Sequence, residues 1–280
     1  MNKDNREYNL YSQSSRANVY ETYAQMREKS PILAVDGLPS SMWFVTGFEE
    51  AKHILAHHKQ FVKDYRKTLP EAEAQQLNLE TELFKLLNYN LLGVDAPDHT
   101  RLRTIVSKAF THRRVLALQR RIQQITDELI DAFPEDGEID LIDRFTFQLP
   151  IVVICELLGV PVEDRDQLRM WSNTFVEGSY SYAQEMMEFF RYIAQLVAER
   201  RDKPQDDLIS ALVQAEENDE RLNGRELYSM IALLIVAGYQ TTINLITNGM
   251  LALLQHPDQM RRLQESPDLT ATTIEEFLAL

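Results

Sequence analysis

The most informative stretch of the chain is A-G-Y-Q-T-T at residues 237–242, because it lies inside a long apolar segment that otherwise favours a helix. Glycine and threonine are poor residues for a helix interior. Gly238 has no Cβ, so another group can approach the backbone closely there. The hydroxyl of Thr241 can donate to the carbonyl of Ala237 and bend the helix. The stretch therefore predicts either a polar binding site in the helix or a tight crossing with a second helix.

The surrounding segment is predicted to form one helix over residues 225–255. Asn223 and Glu226 stand three apart, as in a capping box, and Pro257 ends the helix. Such a helix is roughly 45 Å long, enough to cross a whole domain.

Helical periodicity dominates the rest of the chain. Two short strands, 32–35 and 42–45, flank the hairpin signal D-G-L-P-S-S, and residues 137–143 are predicted to be extended. Further predicted helices cover residues 19–28, 48–57, 80–92, 97–110, 113–133, 150–158, 163–176, 182–201 and 206–217, with two more after Pro257. The sequence predicts a mainly α fold with a small β-sheet near the N-terminus, in one domain over residues 1–280.

Composition restricts the function classes. The 280 residues are 44% hydrophobic and 26% charged, as in a soluble globular protein, and the net charge of -14 argues against a nucleic-acid binder. Cys155 is the only cysteine, which indicates a reducing compartment. The N-terminus carries no apolar signal core, and no uninterrupted apolar run is long enough for a membrane span. A cytoplasmic protein without a membrane or nucleic-acid partner is expected.

A possible anion clamp begins in P-D-H-T-R-L-R at residues 97–103. His99 and Arg103 are four apart, so both project from one helix face, where they could hold a carboxylate. The alternative is a solvated basic face.

His99 and Arg103 lie in a basic segment of a chain that is acidic overall. Seven cations and no Asp or Glu occur between His99 and Gln124: Arg101, Arg103, Lys108, Arg113, Arg114, Arg120 and Arg121. This basic patch, residues 101–121, could dock an acidic partner or bind phosphate. Two helices with solvated faces are the alternative.

The cysteine and the remaining histidines give little indication of a catalytic or metal site. Cys155 sits in V-V-I-C-E-L-L, which indicates a buried structural thiol. His53 and His57 are four apart, but no thiol or carboxylate completes a metal site. No phosphate loop, nucleophile elbow or C-x-x-C is present.

Three motifs in this order resemble the haem-thiolate monooxygenases of the cytochrome P-450 family. They are P-D-H-T-R-L-R-T-I-V-S-K-A-F-T-H-R-R at 97–114, L-L-G-V-P at 157–161 and A-G-Y-Q-T-T at 237–242. The resemblance extends from about Tyr20 onward. It is nearest to the soluble bacterial members that hydroxylate polyketides and other secondary metabolites.

This resemblance implies roles for individual residues. His99 and Arg103 match the pair that binds a propionate of haem b. Ala237 and Gly238 match positions beside the oxygen-binding groove, and Thr241 matches the threonine that helps deliver protons to dioxygen.

The resemblance also implies roles for longer segments. Residues 60–92 match the loop that covers a small apolar substrate, and 163–201 match a lid of two helices. The basic patch matches the face where a ferredoxin or flavodoxin-type protein docks.

The sequence departs from the family pattern at two places. Gln240 replaces the usual Asp or Glu, so proton delivery is expected either to be slower or to run through Thr241 and water alone. The cysteine loop that ligates haem iron is absent, and Ala279 stands where the Glu-x-x-Arg motif beginning at Glu276 needs arginine. The sequence is therefore expected to be the N-terminal two-thirds of such an enzyme, with the axial cysteine outside it.

The expected function is that of a haem-dependent monooxygenase, inactive as this 280-residue chain and without its thiolate-ligated haem spectrum. The alternative is a non-catalytic helical remnant of the same fold that binds a ligand or partner. The monooxygenase interpretation requires a haem between the His99/Arg103 pair and the Gly238/Thr241 stretch.

Overall fold

The mainly helical prediction is confirmed in the computed structural model, which describes residues 17–35, 42–64, 67–70, 86–177, 182–217 and 222–278. Helices α1 to α5 are Val19–Lys29, Phe48–Ala56, Asp98–Ala109, His112–Asp131 and Gln148–Leu158. Helices α6 to α11 are Arg165–Glu177, Tyr182–Asp202, Leu208–Glu217, Gly224–Gln255, Pro257–Glu265 and Thr270–Phe277. Strands β1 and β2 are Ile32–Val35 and Met42–Val45.

The chain divides into two compact units, residues 1–79 and 80–280. The first contains α1, α2 and the antiparallel pair of β1 with β2, in which Leu33 faces Phe44 and Ala34 faces Trp43. This confirms the predicted strands, and their D-G-L-P-S-S connection lies outside the described residues. Met26 of α1 is fully buried.

Helix α5 lies in the core of the second unit and packs against both α4 and α9. Its sequence is apolar along nearly its whole length, so it buries residues on every side. Gly159 ends it with a φ of +80°, and a Cβ there would also collide with the Asp207 side chain.

Helix α9 begins as predicted. Asn223 Oδ1 accepts from Glu226 N at 3.0 Å, and Glu226 Oε2 accepts from Asn223 N at 3.0 Å, which completes the capping box. The helix continues unbroken to Gln255, which confirms the single helix predicted over residues 225–255, with residues 237–242 inside it. Tertiary packing holds these residues in the helix despite their low propensity. By length and composition alone α9 could also cross a membrane, a criterion that core helices of soluble proteins meet as well.

Two local predictions are corrected by side-chain hydrogen bonds. Residues 137–143 form no strand, because Asp140 Oδ1 accepts from Ile142 N and Asp143 N and begins a π-helical turn, Ile142–Thr146. The predicted helix 80–92 is described only from residue 86 and ends after residue 88. There Asn90 Nδ2 donates to Leu87 O and to Ser229 Oγ, and these bonds tie the following turn to α9.

Candidate cofactor site

Helix α3 displays His99 and Arg103 on one face, as the four-residue spacing predicts. Its opposite face buries four apolar side chains in the core: Leu102, Ile105, Val106 and Ala109. His99 is half-buried and Arg103 is exposed. With Thr100, Thr104, Ser107 and Lys108 they line an open groove of about 650 Å³.

The donor set in this groove fits an anionic group. Within the described part of the chain, the side chains of His99 and Arg103 have no hydrogen-bonding or ionic partner. A guanidinium and an imidazole on one face can both donate to the same carboxylate, and the guanidinium can do so through two parallel bonds. These residues therefore fit a haem propionate in their chemistry.

Arg101, between them in sequence, points elsewhere. Two residues along a helix correspond to about 200° of rotation, so Arg101 lies on a different side from His99 and Arg103. Its Nη1 donates to Glu226 Oε2 at 3.0 Å and its Nη2 to Glu226 Oε1 at 2.5 Å, while Asp98 Oδ1 accepts at 2.9 Å. The hydrogen bonds to Glu226 raise the pKa of Arg101 further above its ordinary value.

The A-G-Y-Q-T-T stretch presents a hydroxyl on an exposed face of α9. Thr241 Oγ1 donates to Ala237 O at 3.1 Å, which confirms the predicted bond, and both residues are exposed. Gln240 is half-buried. Tyr239 is fully buried on the opposite side, with its ring edge-on to Phe147 at 6.0 Å between centroids.

Gly238 marks a close crossing of two helices. A Cβ built at this position would lie 2.7 Å from Cδ1 and 3.0 Å from Cγ1 of Ile154 in α5. The tight crossing that the sequence left open as an alternative is therefore present at this glycine.

The predicted site residues form two groups, His99 with Arg103 on α3 and residues 237–241 on α9. No hydrogen bond or ion pair described for the chain joins the two groups. The ion pair described between α3 and α9 is Arg101 with Glu226, and Glu226 precedes Gly238 by twelve residues, about 18 Å along α9.

Comparisons with known proteins identify the family. A sequence profile of the family Cytochrome P450 matches residues 165–270. A cytochrome P450 of Bacillus subtilis (strain 168) is 40% identical, over 97% of this chain and 67% of that protein. This chain belongs to the cytochrome P450 family.

Further cytochrome P450 relatives agree. The polyketide biosynthesis cytochrome P450 PksS of Bacillus subtilis (strain 168) is 38% identical, over 93% of this chain and 66% of that protein. The crystal structure of myxobacterial cytochrome P450 CYP267B1 in complex with myristic acid superposes with a TM-score of 0.84 at 39% identity, over 96% of this chain and 68% of that one. The chain thus spans about two thirds of the length of these P450 relatives.

The basic patch of this P450 chain is less positive than its sequence indicates. Arg121 binds both oxygens of Glu156 at 2.8 to 3.0 Å, and Arg114 Nη2 donates to Asp206 Oδ1 at 3.0 Å. Arg101 is paired as described above. These carboxylates come from α5, the start of α8 and α9, so counting charges along residues 99–124 could not reveal them.

The lid helices predicted by the P450 resemblance, α6 and α7, pack through aromatic rings. The Trp171 ring lies 5.7 Å from that of Phe189 and 5.3 Å from that of Tyr192. Residues 71–85 of the predicted substrate loop lie outside the described residues.

Cys155 is buried in α5, as the sequence predicts, and desolvation raises its pKa to about 12. The neutral thiol is therefore the stable form inside the core. Among the residues that the structure describes, no group of three or more His, Cys, Asp or Glu side chains could hold a metal ion.

Proposed function

We propose that this chain forms part of a haem-binding monooxygenase, in which His99 and Arg103 bind a haem propionate. The observation that carries the proposal is that, among the residues the structure describes, these two donors have no side-chain partner and share one face of α3 that lines an open groove. The proposal includes the assignment of residues 1–280 to one P450-like domain in the cytoplasm.

Haem, when bound, supplies the activation of dioxygen for insertion of one oxygen atom into an apolar substrate. The residues of this chain would orient the group and handle protons. His99 and Arg103 would fix the propionate through charge-assisted hydrogen bonds. Ala237 would leave room beside the cofactor, because it has no side chain beyond Cβ. Gly238 would border the cofactor through its backbone, because the space at its missing Cβ faces Ile154.

Thr241 would supply the proton-transfer hydroxyl. Its Oγ1 donates to Ala237 O, so the lone pairs on that oxygen remain available to accept a hydrogen bond from water. Gln240 can orient water through its amide but cannot carry a proton as a carboxylate can. Proton movement would therefore pass through Thr241 Oγ1 and water.

The proposed binding of the propionate by His99 and Arg103 is tested by replacing Arg103 with methionine. The variant is made in the whole product of the gene. Haem content and the rate of haem transfer to apomyoglobin are measured. Arg103→Met is expected to release haem faster, whereas Arg120→Met, which removes another exposed arginine, is expected to match the wild type. Equal release from the two variants would reject the clamp. Failure of the wild type to take up haem would favour the non-catalytic alternative.

The role of Gln240 is tested by the yield of product per reduced nicotinamide consumed. Gln240→Glu restores a titratable carboxylate and is expected to raise this yield. Asn244→Asp adds a carboxylate one turn later on α9 and serves as the control. An unchanged yield for Gln240→Glu would contradict the proposal that proton delivery is limited there.

We also propose a small apolar organic substrate of secondary metabolism and a ferredoxin or flavodoxin-type electron donor. Similar proteins include PksS and the cytochrome P450 monooxygenase PikC of Streptomyces venezuelae, which is 40% identical. Arg120 is an exposed cation on α4 that an acidic donor could approach, whereas Arg113 is already paired with Asp206 at 3.6 Å. Electron transfer is then expected to slow as salt rises, and Arg120→Glu should weaken this dependence.

A further inference from the structure

The ion pair of Arg101 with Glu226 joins the two helices that carry the proposed site. Each guanidinium Nη donates to a different carboxylate oxygen, at 2.5 and 3.0 Å. Such a two-bond contact has a defined direction, unlike apolar packing. It therefore restricts how α3 can turn and slide relative to α9.

Arg101 lies in the same turn of α3 as the clamp residues His99 and Arg103. Arg101 is two residues from His99 and two from Arg103, about 3 Å along the helix in either direction. Leu102 anchors this turn by apolar packing, which has no fixed direction, and the other apolar anchors lie farther toward the C-terminal end of α3. The hydrogen bonds of Arg101 to Glu226 therefore fix the orientation of the turn that carries His99 and Arg103.

The same carboxylate also fixes the start of α9. Glu226 is 5% exposed and accepts from Asn223 N as part of the capping box. One buried side chain therefore sets both the first turn of α9 and the orientation of α3. Asn90 adds a second buried tie to this end of α9 through its hydrogen bond to Ser229 Oγ.

We propose that Arg101 is a positioning residue for the cofactor: its pairing with Glu226 holds α3 so that His99 and Arg103 retain the haem propionate. This inference rests on the proposed function. It also removes Arg101 from the docking surface for the redox partner, since its guanidinium is occupied within the protein.

The test compares variants at both ends of the pair with a matched control elsewhere. Arg101→Lys keeps the charge but loses the planar fork. Glu226→Gln keeps the capping geometry but loses the charge. The control is Asp207→Asn, because Asp207 is also buried, pairs with Arg200 at 2.6 Å, and caps α8 by accepting from Ser210 N at 2.7 Å.

Two readouts are taken on the protein as its gene encodes it. The first is the rate of haem transfer to apomyoglobin. Arg101→Lys and Glu226→Gln are expected to raise it by about tenfold, equivalent to about 1.4 kcal/mol, whereas Asp207→Asn should stay within about twofold. The second is hydrogen exchange of the α3 amides in haem-free protein, which should rise in the two pair variants and not in the control.

Equal acceleration of haem release in all three variants would overturn the inference, because general loss of stability would then explain it. Unchanged release in Arg101→Lys and Glu226→Gln would overturn it as well. A wild type that takes up no haem would reject the proposed function instead. In that case faster exchange in α3 would still show that the pair holds the helix, and unchanged exchange would reject the structural part of the inference too.

Discussion

Replacing Gly238 with alanine tests how α9 meets α5. The new Cβ would lie 2.7 Å from Ile154 Cδ1 and 3.0 Å from Ile154 Cγ1. Ordinary carbon contacts are about 3.5 to 4.0 Å, so one of the two helices or the isoleucine side chain must move by up to about 1 Å.

Two opposing effects set the magnitude. Overpacking a core contact costs about 1 to 3 kcal/mol. Alanine in place of glycine inside a helix gains about 1 kcal/mol. Because Cδ1 is the end of a rotatable side chain, the lower half of the overpacking range applies, and the net effect of Gly238→Ala should lie between no change and a loss of about 1 kcal/mol.

A double-mutant cycle isolates the contact. Ile154→Val removes Cδ1 and costs about 0.5 to 1.5 kcal/mol by itself. In that background Gly238→Ala should become neutral or stabilising, since the closer of the two contacts, at Cδ1, is removed and the helix preference of alanine remains. The coupling energy between the two sites should reach about 1 kcal/mol.

Urea denaturation of the four variants measures this coupling. Gly224→Ala in the same helix is the control, because a Cβ there would only reach Glu216 Oε1 at 3.4 Å. The reasoning is refuted if Gly238→Ala stabilises the protein as much as Gly224→Ala does, and if the effect of Gly238→Ala is the same with Ile154 and with Val at position 154.

Three further predictions concern stability. Asn223→Ala should cost about 1 kcal/mol in urea denaturation, because Glu226 N loses its cap, and no loss would contradict the capping role. Arg200→Met should lower the free energy of unfolding by about 3 to 5 kcal/mol, because it leaves Asp207 buried and unpaired. The double variant with Asp207→Asn should recover part of this loss. Additive losses from the two substitutions would count against the ion pair. Burial raises the pKa of Cys155 from 9.0 to about 12, so the unfolded chain loses this proton first and the stabilisation present below pH 9 disappears between about pH 9 and pH 12. Cys155→Ala should flatten that part of the stability profile, and an unaltered slope would disprove it.

The ends of α9 were predictable because their signals are local. Asn223 and Glu226 cap through backbone atoms three residues away, and Pro257 blocks continuation of the helix whatever surrounds it. The same holds for the end of α5 at Gly159, where the backbone requires a positive φ. The bond from Thr241 to Ala237 follows from helix geometry alone.

Other features depend on residues far apart in the sequence and could not be predicted locally. The pairing of Arg114 with Asp206 joins residues 92 positions apart, and that of Arg121 with Glu156 spans 35. A local count therefore assigned too much positive charge to the basic patch. The extended prediction at 137–143 failed because it did not take account of the capping signal of Asp140, which is visible in the sequence.

The exposed hydroxyl of Thr241 is a consequence of packing on the other side of α9. The first part of the helix buries Leu227, Met230 and Ile231. From Ala237 onward an exposed stripe follows the helix, with its residues alternately four and three positions apart: Ala237, Thr241, Asn244, Asn248 and Leu251. The rotation of the helix is fixed opposite the stripe by the buried Tyr239 ring against Phe147, and beside it by the close approach of Gly238 to Ile154. The glycine and the threonine of the decisive stretch therefore have different tasks: Gly238 permits the helix crossing that determines where the hydroxyl of Thr241 points.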